Sequence, residues 1–472
     1  MLWAWLSGGC AVATTAHEPS IDPPEAAPNE DPCRGLPSDV VETTLPVWDL
    51  RIATLHWDLL HDDVRAHVEV PAAVCIEGER YPVALELQGS STRTLDKKSF
   101  DLKWKRGKLL DRWPYTDPPL GADADAQPSI RKLLLKAMAR DQSLVREAVS
   151  FELYRALGYE TPRSGFVNLR INGAYWGLYS VVEPVNDAYL ASHGYPSPGR
   201  LYKAVRKHGS RGDFSPGRDL TRAFETDPDD VDWDNTPDAP DLPDRNEQGR
   251  PDESDRHEAP EPEALPEPGE PEQDPADLQP SAAMPEDVYA DLARFLDLLQ
   301  DTPLSVSAFE TAIDPVFPLA NYIDRMVWVA FTQNGDAVAQ NFFLYQTLRD
   351  AGERWYQLPW DSDISLGADW RDSEAIVGAD DVLLLDGGNY YSRRLLNVPA
   401  LRSRYVARFR EVLDAQQLPA AGMTRLEEYR RLLAHDLALD QARWRRALEP
   451  HPPVDPHPAF LSAPRPSQPA AL

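Results

Sequence analysis

"NGDAVAQNFFLYQT" (residues 334–347) and "RWYQLPWDSDISLG" (residues 354–367) read as two apolar strands joined by a turn. Asp336 precedes the first strand, with Asn341 five positions on, and Asp361 and Asp363 follow the second. Asp361 and Asp363 sit among Leu358, Trp360, Ile364 and Leu366, where a carboxylate is partly withdrawn from water. Two readings follow from that. Asp and Gly cap strands and turns, so the stretch can be a plain surface turn. Alternatively, a cation or hydrogen-bond donors compensate the buried acids. The order of parts favours the second reading: an Asp, an Asn five residues later, a strand pair, then an Asp. Phosphoryl transfer uses such a set, since an acid can orient the attacking hydroxyl while hard oxygens hold Mg²⁺ against phosphates.

Before this unit the chain is rich in strands. "VWDLRIATLHWDLL" (47–60) and "YPVALELQGSSTRTLDKKSFDLKWK" (81–105) alternate like strands around the polar turn 89–94. "SIRKLLLKAM" (129–138) is a further strand. A helix is predicted from Asp141, as N-cap, to Gly158, and a hairpin turns at Asn172-Gly173. After residue 285 the pattern becomes helical, at 286–300, 318–335, 398–418 and 423–444. The expected fold class is α+β, with a strand-rich half over 46–206 and a helix-rich half over 286–449 that carries the Asp-Asn-Asp unit. Between them lies an acidic, proline-rich insert (207–285), and a loose tail follows at 450–472.

The chain has 472 residues and a net charge of −29, which argues against binding nucleic acid through clustered Lys and Arg. From Glu225 to Asp277 there are 21 Asp/Glu, three Arg and eleven Pro, so that segment alone carries −18. It cannot bury enough apolar surface to fold alone. Its "DPDDVDWDNTPD" (227–238) has alternating acids but lacks the glycine and terminal glutamate of a calcium loop. No apolar run is long enough to span a membrane. Residues 1–45 read as an export signal and flexible tether, with Leu6-Ser7-Gly8-Gly9-Cys10 close to a lipoprotein site and Cys10 the possible lipid anchor. That predicts an extracytoplasmic, cell-envelope or secreted protein. Cys33 and Cys75 are either a disulfide or two separate thiols.

Taken in order, "LQGSSTRTLDKKSFDLKWK", "KLLLKAMARDQSLVREAVSFELYRALG", "TPRSGFVNLRINGAYWGLYSVVEPVNDAYL", "LYKA", "NGDAVAQNFFLY", "RWYQLPWDSDISLG" and "RRLLNVPALRSRYVARF" resemble the spore coat protein H (CotH) kinase family. The resemblance covers roughly residues 80–445 apart from the insert. It implies a two-lobed, atypical protein-kinase-like fold and a metal-dependent enzyme that moves the γ-phosphoryl of ATP to serine in a protein. On it, Asp336 is the catalytic base, Asp361 and Asn341 hold Mg²⁺ or Mn²⁺, and Asp363 is a second ligand or a turn cap. Trp355 and Tyr179 are expected to stack on the nucleotide, and Glu183 to lie at the hinge. Lys98, which shares a strand face with Phe100 and Leu102, is expected to reach the phosphates and to pair with Glu147 or Glu152. Arg93 and Lys203 are further phosphate contacts. A second function class is a surface binding protein that keeps the fold without turnover, since ATP is scarce outside the cytoplasm.

Overall fold

Seven strands of the first half close on themselves. The computed structural model describes residues 33, 42–104, 109–110, 130–141, 143–196, 199–207, 210–226, 289–347, 353–368 and 389–444. The strands are β1 (Val47–Arg51), β2 (Val70–Ile76), β3 (Glu79–Gln88), β4 (Ser99–Trp104), β5 (Lys132–Lys136), β6 (Ser164–Ile171) and β7 (Ala174–Val182). They form a barrel in the order β1-β2-β3-β4-β5-β7-β6. Pairing is antiparallel except between β1 and β6, which run parallel with Trp48 opposite Leu169 and close the ring. Closure removes both free sheet edges.

Alternation decides what fills the barrel. Leu85 and Leu87 of β3, Phe100 and Leu102 of β4, Leu133 and Leu135 of β5, and Tyr179 and Val181 of β7 belong to one buried cluster. The stretch 47–60 is not strand throughout. β1 ends at Arg51, and helix α1 (Thr54–Asp62) sends Trp57 and Leu60, three residues apart, into the same cluster. The β6–β7 turn occurs at Asn172-Gly173, both with left-handed φ (50° and 88°), as the sequence requires.

Helix α2 (Arg146–Ala156) begins later than predicted. Leu144 has φ 58°, so helical geometry cannot run through it, yet Asp141 still caps the helix from a distance. Its carboxylate accepts the Ser143 N–H (3.0 Å) and the Arg146 N–H (2.8 Å), and pairs with the Arg146 guanidinium (2.6 Å). After α3 (Asp187–Ser192) comes β8 (Gly199–Ala204), then a small ribbon of β9 (Arg206–Lys207) and β10 (Ser210–Arg211), then α4 (Leu220–Ala223) and β11 (Phe224–Thr226). With β12 (Phe342–Thr347) and β13 (Trp355–Pro359), these strands give an antiparallel sheet ordered β11-β8-β12-β13.

The longer remaining helices are α5 (Ala290–Asp301), α6 (Leu319–Thr332), α7 (Tyr390–Leu396), α8 (Pro399–Asp414) and α9 (Gln417–Trp444). They bury a second core that takes in Leu153 and Tyr154 of α2, Trp328 of α6 and Tyr429 of α9. α9 lies against α2 at Gly422, where an added Cβ would stand 3.1 Å from Leu153. Its far end reaches the barrel: Asp440 accepts the Lys97 ammonium (2.7 Å) and the Leu178 N–H (2.8 Å), and the Trp444 indole donates to Trp176 O (2.5 Å).

The chain is thus α+β, strand-rich first and helical after. Cys33 and Cys75 form a disulfide, with Cα atoms 5.5 Å apart. Among the described residues no helix is long and apolar enough to cross a membrane. Cys10 and its signal-like run, the calcium-like loop at 227–238, most of the acidic insert and the tail from 450 lie outside the described residues.

Candidate active site

Strand β5 ends beside α2 and delivers a lysine. Leu133 and Leu135 fill the barrel, so period-two alternation turns Leu134 and Lys136 outward, and Leu134 joins a third cluster with Phe343 and Trp360. The Lys136 ammonium donates to Glu147 Oε1 on α2 (2.6 Å) and to Asp361 Oδ1 (2.7 Å), and lies 5.0 Å from the Trp360 ring. Glu147 Oε1 also accepts the Ser362 N–H at 3.3 Å. Two consecutive elements and a loop 225 residues further on therefore meet at one ammonium.

The Asp-Asn-Asp unit folds back onto that point. β12 and β13 pair with Phe342 opposite Pro359, which brings the Asp336–Asn341 turn alongside the Asp361 loop. The Asn341 amide donates to Asp336 Oδ2 (3.1 Å) and to Asp361 O (3.4 Å), and its N–H donates to Ala204 O on β8 (3.2 Å). Gln340 donates to the other Asp336 oxygen at 2.7 Å. Both Asn341 (φ 56°) and Asp361 (φ 47°) are left-handed, an uncommon conformation for residues with side chains. The Asp361 loop is held to the end of α6 by the Leu366 N–H on Thr332 O (2.5 Å).

Charge in this cluster is unevenly matched. Burial pushes the Asp361 carboxyl up, but the charge and hydrogen bond of Lys136, helped by Lys203, outweigh it and hold it below its ordinary value. Burial and the Asp361 charge push Asp336 up, against hydrogen bonds from Gln340 and Asn341. Burial and then Asp361 drive Asp363 well up. Glu147 is raised by burial and Asp361 although Lys136 opposes this. Lys136 is itself raised: burial disfavours its charge, and Asp361, Glu147 and Asp363 more than compensate. Glu147 Oε2 and Ser362 Oγ are buried without a hydrogen-bond partner among the described residues. The site therefore carries more carboxylate than one ammonium neutralises.

Such a surplus fits a divalent cation, and the chemistry of the donors indicates which. Asp361, Asp363 and Asn341 offer hard oxygen donors. No group of three His, Cys, Asp or Glu residues forms a ready metal cage among the described residues. Mg²⁺ is usually held by one or two carboxylates, with substrate phosphates and water completing its shell.

The structure brings Asp336, Asn341, Asp361, Asp363 and Lys203 together and sends the other expected residues elsewhere. Lys98 lies just before β4, which starts at Ser99, and its ammonium donates to Arg93 O (2.6 Å). Glu147 pairs with Lys136 instead, and Glu152 with Arg155 and Arg425. Lys97 is fully buried against Asp440. The Arg93 guanidinium is bound to Gly89 O (2.7 Å), Ala66 O (3.0 Å) and Glu86 (3.2 Å). Tyr179 lies inside the barrel and donates to Lys98 O at 2.8 Å. Glu183 is clasped by Arg163 (2.9 Å) and His193 (2.9 Å). Trp355 is stacked in the helical core, 4.3 Å from Phe295 and 5.8 Å from Tyr202. Lys136 was not foreseen; a lysine closing the apolar run "KLLLK", on the Leu134 face, was its signal.

Comparison with known proteins identifies the family. The chain is 22% identical over 371 residues to the inner spore coat protein H of Bacillus subtilis (strain 168), covering 77% of this chain and 80% of that one. The family model described as CotH kinase protein matches residues 85–451, a span that contains Lys136, Glu147, Asp336, Asn341 and Asp361. The chain belongs to the CotH kinase protein family.

Proposed function

We propose that this protein is a metal-dependent protein kinase that transfers the γ-phosphoryl of ATP to serine hydroxyls of a protein. The observation that carries this reading is Lys136 held at once by Glu147 (2.6 Å) and Asp361 (2.7 Å), with Asn341 joining Asp336 to the Asp361 loop. A strand lysine fixed by a helix glutamate is the phosphate anchor of kinase sites, and an Asp beyond a strand pair is their metal ligand. On this reading the barrel half and the helical half are the two lobes of a kinase-like fold, and the nucleotide lies between them.

Each residue has a role that its surroundings favour. Lys136, oriented by Glu147, neutralises phosphate oxygens. Asp336 accepts the proton of the serine hydroxyl; burial and the neighbouring Asp361 raise its basicity toward that task. Gln340 and Asn341 fix its orientation. Asp361, Asp363 and Asn341 would hold Mg²⁺ or Mn²⁺, which when bound supplies countercharge for the ATP phosphates. Lys203 adds positive charge on the β8 side. The name of the Bacillus relative, together with the Cys33–Cys75 disulfide, favours an extracytoplasmic or coat-associated location. Family membership does not favour the turnover-free binding protein.

The test is incubation of purified protein with ATP and Mg²⁺ or Mn²⁺, with phosphoserine located by mass spectrometry. Asp336→Ala and Asp361→Ala should each lower incorporation about 10³-fold. Undiminished incorporation in Asp336→Ala removes its role as base. Absence of nucleotide binding by calorimetry with either metal overturns the kinase reading.

A further inference from the structure

Arg325 of α6 is a cation buried without a counterion. It is 4% exposed, and no carboxylate of the described residues pairs with it. Burial disfavours its charge, opposed by the neighbouring Tyr322 and Tyr154. A buried charge with no acid beside it is costly, and a methionine would fill similar space without that cost. What the arginine does touch is the turn that carries Asp336. Its guanidinium donates to Ala337 O, the carbonyl just after Asp336, and lies 5.0 Å from the ring of Phe342, the residue just after Asn341. The turn is fastened at other backbone groups as well. The Ala337 N–H donates to Asn334 Oδ1 (3.0 Å), and Val338 O accepts from Asn389 (3.1 Å), whose Oδ1 accepts the Tyr322 hydroxyl (3.3 Å). Tyr322 and Arg325, three residues apart on α6, therefore act on consecutive carbonyls. Asn334 is itself fully buried, and its amide nitrogen has no hydrogen-bond partner among the described residues. Two costs of burial thus lie beneath one short turn, as happens where the geometry of a site outranks stability.

We propose that Arg325 is a positioning residue for phosphoryl transfer: by holding the Ala337 carbonyl and the Phe342 ring it fixes the backbone from Asp336 to Asn341. This rests on the kinase reading above. Arg325 acts through the turn, setting the aim of the Asp336 carboxylate and the Asn341 amide. Asn341 is left-handed (φ 56°), a conformation that persists only where its surroundings over-determine it. Phe342 seated on a guanidinium is such a constraint, since a planar cation on an aromatic face is directional. Lysine would offer charge and a donor without the plane, and methionine would offer bulk alone. Displacing a reacting group by about 1 Å costs about 10²-fold in rate, so a small loosening of the turn is enough to matter. The preceding residue of α6 serves a different end. Asp324 accepts from Tyr159 (2.9 Å) and from Arg408 of α8 (2.6 Å), which ties helices together away from the turn.

The experiment compares the full chain with its Arg325→Met, Arg325→Lys and Arg408→Met variants. Three quantities are read: the thermal midpoint, initial rates of phosphoserine formation on the chain itself over a range of ATP with Mg²⁺, and amide hydrogen exchange across residues 336–341. Arg325→Met should keep its midpoint within about 4 °C of wild type, because the lost hydrogen bond is offset by relief of a buried charge. Its kcat should nevertheless fall about 10²-fold at unchanged ATP KM, with faster exchange in the turn. Arg325→Lys should recover part of the rate. Arg408→Met, which unties Asp324 on the same helix, should lower the midpoint and leave kcat and the exchange of the turn unchanged. Undiminished kcat in Arg325→Met overturns the proposal, as does an equal loss of kcat in Arg408→Met. A rise in ATP KM that matches the fall in kcat assigns Arg325 to the nucleotide and also overturns it. If Arg325→Met does not fold, Arg325→Lys takes its place: full kcat overturns the proposal, and reduced kcat at unchanged ATP KM upholds it. A wild type that binds ATP without turnover refutes the kinase reading. Exchange then decides alone whether Arg325 holds the turn, and equal protection in wild type and Arg325→Met overturns it.

Discussion

Lys97 and Lys136 are both buried, and they are buried for opposite reasons. Lys97 donates to Asp440 at 2.7 Å and to Leu178 O at 2.7 Å, with both side chains of the ion pair fully buried. Lys136 has two carboxylates at similar distances, and Asp361 is 38% exposed. In the first pair burial wins: Lys97 is pushed down and Asp440 up, each toward its neutral form, although each charge favours the other. At the second, Coulomb attraction wins, and Lys136 and Asp361 both shift toward their charged forms. A desolvated one-to-one pair fixes two elements together and contributes little net stability. An ammonium facing several acids at the edge of solvent keeps its charge and can exchange partners. That is the difference between a clamp and a working group.

The sharpest way to break this contrast is to remove each ammonium in turn. Lys136→Met should lower phosphoryl incorporation about 10³-fold, an effect on rate, because the phosphate anchor is gone. Lys97→Met should leave the chemistry of folded protein almost intact. It should cost about 3–5 kcal/mol of stability in denaturant unfolding, since Asp440 is left buried with its charge uncompensated. A Lys97→Met protein that is stable but inactive would reverse the two roles.

A second substitution sharpens the same point. If Lys97–Asp440 is a clamp of shape more than of charge, Lys97→Met with Asp440→Leu should recover most of the loss, to within about 1 kcal/mol of wild type. The matching change at the site, Lys136→Met with Glu147→Leu, should recover no activity. Measured together, the two double variants separate stability from function.

The sequence was informative where local rules govern and silent where closure does. Asn172-Gly173 predicted its hairpin, and the helix after Asp141 was visible, its start displaced by the left-handed Leu144. Asp336, Asn341 and Asp361 lie on one continuous hairpin-like unit, so spacing alone brought them near each other. Alternation puts Lys98 on one face with Phe100 and Leu102, but β4 starts only at Ser99, and the Phe100 and Leu102 face becomes the barrel interior once β1 pairs in parallel with β6. No local pattern announces that pairing. Lys136 was hidden by the same cause: β5 is covered on both faces, so "KLLLK" reads as an apolar run and not as a strand with a working side. Trp355 and Tyr179 illustrate the commoner fate of large aromatics, which is to fill cores.

Glu86 provides the mirror image of Lys136 and the mildest test: one carboxylate among several basic side chains. It meets His67 (2.7 Å), Arg93 (3.2 Å) and Lys103 (3.5 Å) on the barrel wall. Burial opposes its ionisation, but these partners hold its carboxyl down to about 2, against an ordinary 4.5. The native state therefore binds fewer protons here than the unfolded chain between those values. Its contribution is complete above about pH 4.5 and is lost as pH falls toward 2. Since His67 is largely exposed and screening reduces the gain, the expected loss is about 2 kcal/mol. Glu86→Gln should be less stable than wild type at pH 7 by that amount, and the two denaturation midpoints should converge as the pH approaches 2. If the gap between them is the same at pH 7 and pH 2.5, the groups around Glu86 are bystanders. Attraction that outweighs burial would then not extend to this carboxylate.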